Sequence, residues 1–204
     1  MGNEIQEKIA GSYKLIMWGI LITAAHITVG RFQILPAFIG HIMIFVGINK
    51  LYKEVGIEYF STSLKNAKIT MIASLIYWVW GAVILPYSDI LTGCFEIFIF
   101  VLEISLFGEF LNKTVKLLKE NDRIKQADKL RKNRMLFIKF YLGVMVVFLV
   151  GLIPALDVLR GYPAPTLMLS VKIFLSLIVQ NVVRSQVGFD PARVVKPVIE
   201  SEAK

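Results

Sequence analysis

The chain has 204 residues, of which 56% are hydrophobic and 19% charged, with a mean hydropathy of +0.65 and a formal charge of +8. A soluble domain is normally less apolar and more charged, so the composition argues against an ordinary water-soluble globule. The single cysteine, Cys94, excludes an intramolecular disulfide and a cysteine-based metal cluster.

Six apolar blocks follow along the chain: Leu15–Gly30, Phe32–Asn49, Ile69–Ser88, Ile90–Asn112, Phe140–Leu156 and Ala164–Val183. A membrane-crossing helix needs about 20 mostly apolar residues. The first and fifth blocks reach that length through Tyr13–Lys14 and Leu136–Lys139, where lysines snorkel to the interface. The first block lacks a small-residue cleavage site and runs straight into the second, so it reads as a retained helix. The fold class expected is an all-α membrane protein. Six transmembrane helices form one polytopic domain, at about 13–30, 33–51, 67–87, 89–112, 135–157 and 164–184.

The connections carry the orientation. Lys8 and Lys14 precede the first helix, and Lys50, Lys53, Lys65 and Lys68 lie between the second and third. Nine basic residues from Lys113 to Arg134 separate the fourth and fifth, and Arg184, Arg193, Lys196 and Lys204 follow the sixth. The opposite connections hold only Arg31 and Arg160. Lys and Arg accumulate on the cytoplasmic side of membrane proteins. The chain is therefore expected to run N-in and C-in, in the cell membrane, with the lipid bilayer as its first partner. The positive charge is then an orientation signal, and no nucleic-acid partner is expected.

The outer connections Gly30–Gln33, Pro86–Asp89 and Asp157–Pro163 are short, so the helices should pair as three antiparallel hairpins. The turns GRFQILP, GAVILP and GLIP share a Gly, apolar residues and a Pro, which fits either a repeated two-helix unit or common turn chemistry. Tyr13 and Trp18 fall at an inner interfacial belt, and Tyr77, Trp78, Trp80 and Tyr87 at an outer one. Gly40 and Gly47 on the second helix, and Gly143 and Gly151 on the fifth, suit close helix contact. The basic segment 112–134 lacks Pro and Gly, so the fourth helix should continue past the membrane, with Asn121–Asp122 as a break and cap. Its thin stripe of Leu117, Ile124 and Leu130 fits a helix lying near headgroups or a docking element for a cytoplasmic partner. The tail 185–204 reads as a short surface helix or as disorder.

The fourth block carries three acids. Glu109 lies near the inner interface and can pair with Lys113 one turn on. Glu96 and Glu103 are seven apart, on one face with Thr92, where a charge at a helix centre costs about 2.5–3.5 kcal/mol on insertion scales. Such groups turn to the bundle interior and find partners. Counting depth from the outer surface places His26, His41, Glu96 and Lys172 in one layer, with Thr23 nearby. Ser176 and Gln180 continue a polar stripe below Lys172. Asp157 and Arg160 stand at the mouth of this layer, and Glu103 lies below it. Glu96 is expected to pair with Lys172, and Glu103 is left without an assigned partner. Three roles fit the layer: a structural ion pair, a pocket for a small polar or zwitterionic ligand, and a proton relay through Glu103 and the histidines.

No HExxH, G-x-S-x-G, Walker A or GxGxxG element occurs, so no catalytic residue, metal or cofactor is assigned and no enzyme is expected. The size and six-helix plan resemble the substrate-capture subunits of energy-coupling-factor vitamin transporters. That resemblance implies a ligand held in the outer half of the membrane and a separate energising complex. The alanine-rich pattern of their first helix is not reproduced by Gly19, Ala24 and Ala25. The expected function is binding or transport of a small polar solute by Glu96, Glu103, Lys172, His26 and His41. A homo-oligomer or a partner at the cytoplasmic face is expected to complete so small a unit. The alternative is a non-transporting membrane subunit or regulator that docks a partner through its basic cytoplasmic segment.

Overall fold

The computed structural model describes residues 2–25, 28–29, 32–33, 36–83, 89–151, 153 and 163–185. Among them are six helices: α1 (Gly2–Ala24), α2 (Ala37–Val55), α3 (Ile57–Val83), α4 (Asp89–Glu120), α5 (Ile124–Val150) and α6 (Pro163–Ser185). Between α1 and α2, β1 (Thr28–Val29) and β2 (Phe32–Gln33) make one short antiparallel pairing with Thr28 opposite Gln33. His26, Asp157, Arg160 and the tail fall outside the described residues, as do most of the three outer turns.

The connections at the basic end are mostly helix, as expected of segment 112–134. Between α2 and α3 only Gly56 is non-helical, and its φ of +114° is one that side-chain-bearing residues rarely adopt. Helix α4 continues to Glu120, and α5 begins at Ile124. The turn between them is a Schellman closure, in which Asp122 N–H donates to Lys119 O and Arg123 N–H to Leu118 O. Asp122 takes the left-handed conformation, φ +58°, which Asp tolerates better than most residues. Asn121 makes the break but does not cap α5; its Nδ2 donates back to Leu117 O at 2.9 Å. The basic segment is therefore the paired ends of two long helices.

Each helix packs on its sequence neighbours, and α6 closes onto α1, so the six form a ring. The pairs α2–α3 and α4–α5 are as much a part of it as the three expected hairpins, and α5–α6 is the sparsest contact. Helices α1 and α2 approach backbone to backbone. A Cβ on Gly40 would lie 2.5 Å from Gly19 O and 2.7 Å from Thr23 N. Gly143, by contrast, is exposed with nothing within 4 Å of its Cβ position, so contact does not account for it.

The core is mostly apolar, but three helices also turn apolar side chains outward and keep polar ones inside. On α3 the buried face holds Ser63, Ala67, Thr70 and Ser74, while Ile69, Ile72, Leu75, Ile76 and Val79 are exposed. Helix α5 exposes Phe140, Leu142, Val146 and Leu149, and α6 exposes Leu167, Leu169, Ile173 and Leu177 while burying Lys172 and Ser176. A helix at a water-facing surface turns its apolar stripe inward. By length and composition, two of the described helices, over Ile124–Val150 and Pro165–Arg184, are apolar enough to cross a membrane. Helices α1 and α2 take in Glu7, Lys8 and Lys14, and Lys50, Lys53 and Glu54, at their basic ends.

Candidate functional site

Four helices deliver polar side chains to one buried point. Glu103 of α4 is fully buried, and His41 of α2 and Lys172 of α6 are 2% and 6% exposed. His41 Nε2–H donates to Glu103 Oε1 at 2.9 Å, and Lys172 Nζ donates to the same oxygen at 3.1 Å. Tyr141 of α5 donates its hydroxyl to Oε2. A carboxylate is acceptor-only with roughly four lone-pair sites, and three are filled here. Desolvation of Glu103 is thus offset by the Lys172 ammonium and by hydrogen bonds from His41 and Tyr141.

Lys172 also donates to Thr23 O at 3.4 Å. That carbonyl lies in the last turn of α1, where helix carbonyls lack an intrahelical partner and the helix dipole favours a cation. Lys172 therefore joins Glu103 to the end of α1. The close contact at Gly19 and Gly40 sets this position, because it holds Thr23 one residue-length from the turn of α2 that bears His41. His41 Nδ1 is buried without a hydrogen-bond partner among the described residues.

The expected layer is therefore present in part and differently wired. Lys172 pairs with Glu103, and the expected Glu96–Lys172 pair does not form. Depth along the axis allows a long lysine stem to reach either acid of an i, i+7 pair. The deeper acid is where His41 and Tyr141 converge, and Lys172 completes that set. Glu96 accepts instead from the Tyr77 hydroxyl at 2.8 Å. Glu109 pairs with Lys113 at 3.4 Å, as expected of a residue near the interface. Tyr13, expected in the inner belt, is fully buried and bonded to Thr114 Oγ1 at 3.1 Å, whereas Trp18 is exposed.

Tyr141 had no place in the sequence reading, although the sequence holds a signal for it. Glu103 lies 18 residues before Asn121 and Tyr141 lies 19 after Asp122, so an antiparallel pair folded at that turn sets them side by side. The edge-to-face pair Phe107–Phe137 follows the same register.

Above the cluster lies a cavity of about 210 Å³. All six helices line it, with Thr23, His41, Trp78, Glu96, Phe148 and Lys172 as one contribution from each. Ala24, Ala37 and Pro165, at the helix ends remote from the basic hairpin, also line it, so it occupies that end of the ring. Its wall is mostly aromatic and aliphatic, with Tyr77, Phe100 and Met168, and its polar groups are few and grouped. Ligand sites commonly combine these features. Among the described residues no three His, Cys, Asp or Glu side chains converge as a metal site. Cys94 is exposed on α4, away from the buried His41. Comparison of the chain with protein-family models, with curated proteins and with solved structures finds no match.

Proposed function

We propose that the protein is a six-span integral membrane protein, N-in and C-in, that binds and passes a small polar solute through the cavity above Glu103. The observation that carries the proposal is the fully buried Glu103, held by Lys172, His41 and Tyr141 at the floor of a cavity lined by every helix. Intramembrane ionisable residues face the bundle interior and mark solute or ion pathways. The outward apolar face of α3, α5 and α6 supports the bilayer as solvent. The crowding of Lys and Arg at one end supports the orientation.

The solute is a molecule with both hydrogen-bond donors and acceptors and an apolar part. Lys172 has one donor beyond the two it uses, and His41 Nδ1 has no hydrogen-bond partner among the described residues. Glu96 supplies a second carboxylate on the wall, and Trp78 and Phe148 supply apolar surface. The role is binding and passage without chemistry on the solute. Mass spectrometry of the detergent-purified protein, at a temperature where both proteins keep full helix content, should find a small molecule retained by the wild type and lost from Glu103→Gln. The same retained molecules in both proteins would reject the role of Glu103.

A second reading rests on the long α4–α5 hairpin, whose end carries exposed Lys119, Lys125 and Arg131. In this reading the protein is a membrane subunit that docks a cytoplasmic partner there. Charge reversal at Lys125 and Arg131 should release a co-purifying protein, and solute retention should stay unchanged.

A further inference from the structure

At the basic end a second cavity of about 270 Å³ lies between α4, α5 and α6. Two cations stand on its rim, Lys129 of α5 and Arg184 of α6, with three carboxamides that include Asn133 and Asn181. Its floor is aliphatic and buried, with Leu118 and Ile178. No acid is among the described residues that line it, and neither cation makes an ion pair with a described residue. Elsewhere on the same hairpin Lys113 and Lys116 are paired with Glu109 and Glu120.

We infer that this cavity binds the phosphate of an amphipathic phosphate ester, supplied by an anionic phospholipid of the adjacent leaflet. Two like charges held across a cavity repel, and an anion between them removes that cost. A guanidinium matches phosphate oxygens with a two-pronged set of donors, and an ammonium adds a point charge. The carboxamides donate to the remaining oxygens. A bare hydrated anion gains nothing from an aliphatic floor, whereas a phosphate attached to an apolar body buries that body there. Basic pockets between helices on the cytoplasmic side suit anionic headgroups. The phosphate assignment stands on the cavity alone, and its lipid source rests on the membrane reading above.

The test uses the full chain in nanodiscs of mixed phosphatidylglycerol and phosphatidylcholine, with retained lipid counted by native mass spectrometry. Phosphatidylglycerol should be retained in preference, and Lys129→Gln and Arg184→Gln should each lower its retention about fivefold, the scale for one basic residue near an anionic surface. Lys125→Gln, on the same helix but outside the cavity, should leave retention unchanged. Equal retention in wild type, Lys129→Gln and Arg184→Gln would overturn the site, as would an equal fall in Lys125→Gln. A second arm titrates glycerol phosphate into lipid-free detergent-solubilised protein by calorimetry. Saturable binding there that needs Lys129 and Arg184, without lipid preference in nanodiscs, would overturn the lipid source and keep the phosphate site. Glu103→Gln should alter neither measurement, so failure of the solute cavity and failure of this site are separable.

Discussion

Lys172 and Lys129 are the same side chain in opposite physical situations. Lys172 is buried on α6 and bonded to Glu103 and to the end of α1. Lys129 is exposed on α5 at the rim of the basic-end cavity, without an ion pair to a described residue. In the interior a charge is retained only where partners are already in place, so Lys172 reports on how three helices sit together. At the basic end a charge is solvated and screened, so an exposed lysine such as Lys129 is tolerated without a built-in partner. The difference teaches that one excess of positive charge serves two purposes, and that burial decides which.

This contrast can be broken most sharply at Lys172. Replacing it with Met leaves Glu103 buried with only His41 and Tyr141 as donors, and removing one partner of a buried pair costs about 3–5 kcal/mol. Thermal or denaturant unfolding in detergent should show that loss, and Glu103→Gln with Lys172→Met should recover most of it. If the single change is nearly neutral, the ion pair does not organise the ring. Tyr141→Phe removes a hydrogen bond to a charged group and should cost about 1.5–3 kcal/mol by the same assay. That result would separate the hydroxyl from the packing of the ring on Phe100 and Phe137.

Gly40→Val forces α1 and α2 apart, because the obstruction is backbone, and overpacking of this kind costs about 1–3 kcal/mol. It should also lower solute retention, since Thr23 and His41 move with the contact. Gly143→Ala, on an exposed face, should do neither. Lys129→Gln should change stability by less than about 0.5 kcal/mol, as surface substitutions do, while its lipid retention falls. Glu109→Gln should also cost little, since a partly exposed pair with Lys113 contributes about 0–1 kcal/mol. A large loss there would place Glu109 with the interior charges.

Much of the fold and part of the site are legible in the residues themselves. The six helices follow from the apolar blocks, because a run of that length leaves few other structures for its backbone. The break at Asn121–Asp122 is legible because few residues tolerate the left-handed turn. The clustering of Glu103 with His41 and Lys172 is not legible, because counted depth puts Glu103 below those two and gives Lys172 to Glu96. Depth is a one-dimensional coordinate, and choosing between Glu96 and Glu103 as partner of Lys172 requires the rotation of three helices about their axes. Tyr141 was hidden for a related reason: an aromatic near a helix end reads as a belt residue until the register of α4 against α5 is known.

The sequence by itself determined the helical class, the concentration of basic residues at one end and the presence of acids that need partners, since these depend on composition and linear spacing. Only the tertiary structure decided that the helices close into a ring, that Glu103 gathers three donors while Glu96 takes the Tyr77 hydroxyl, and that Lys129 and Arg184 face one cavity. The physical reason is the backbone contact at Gly19 and Gly40 and the turn at Asp122. These set the rotation and register of neighbouring helices, and with them which side chains meet.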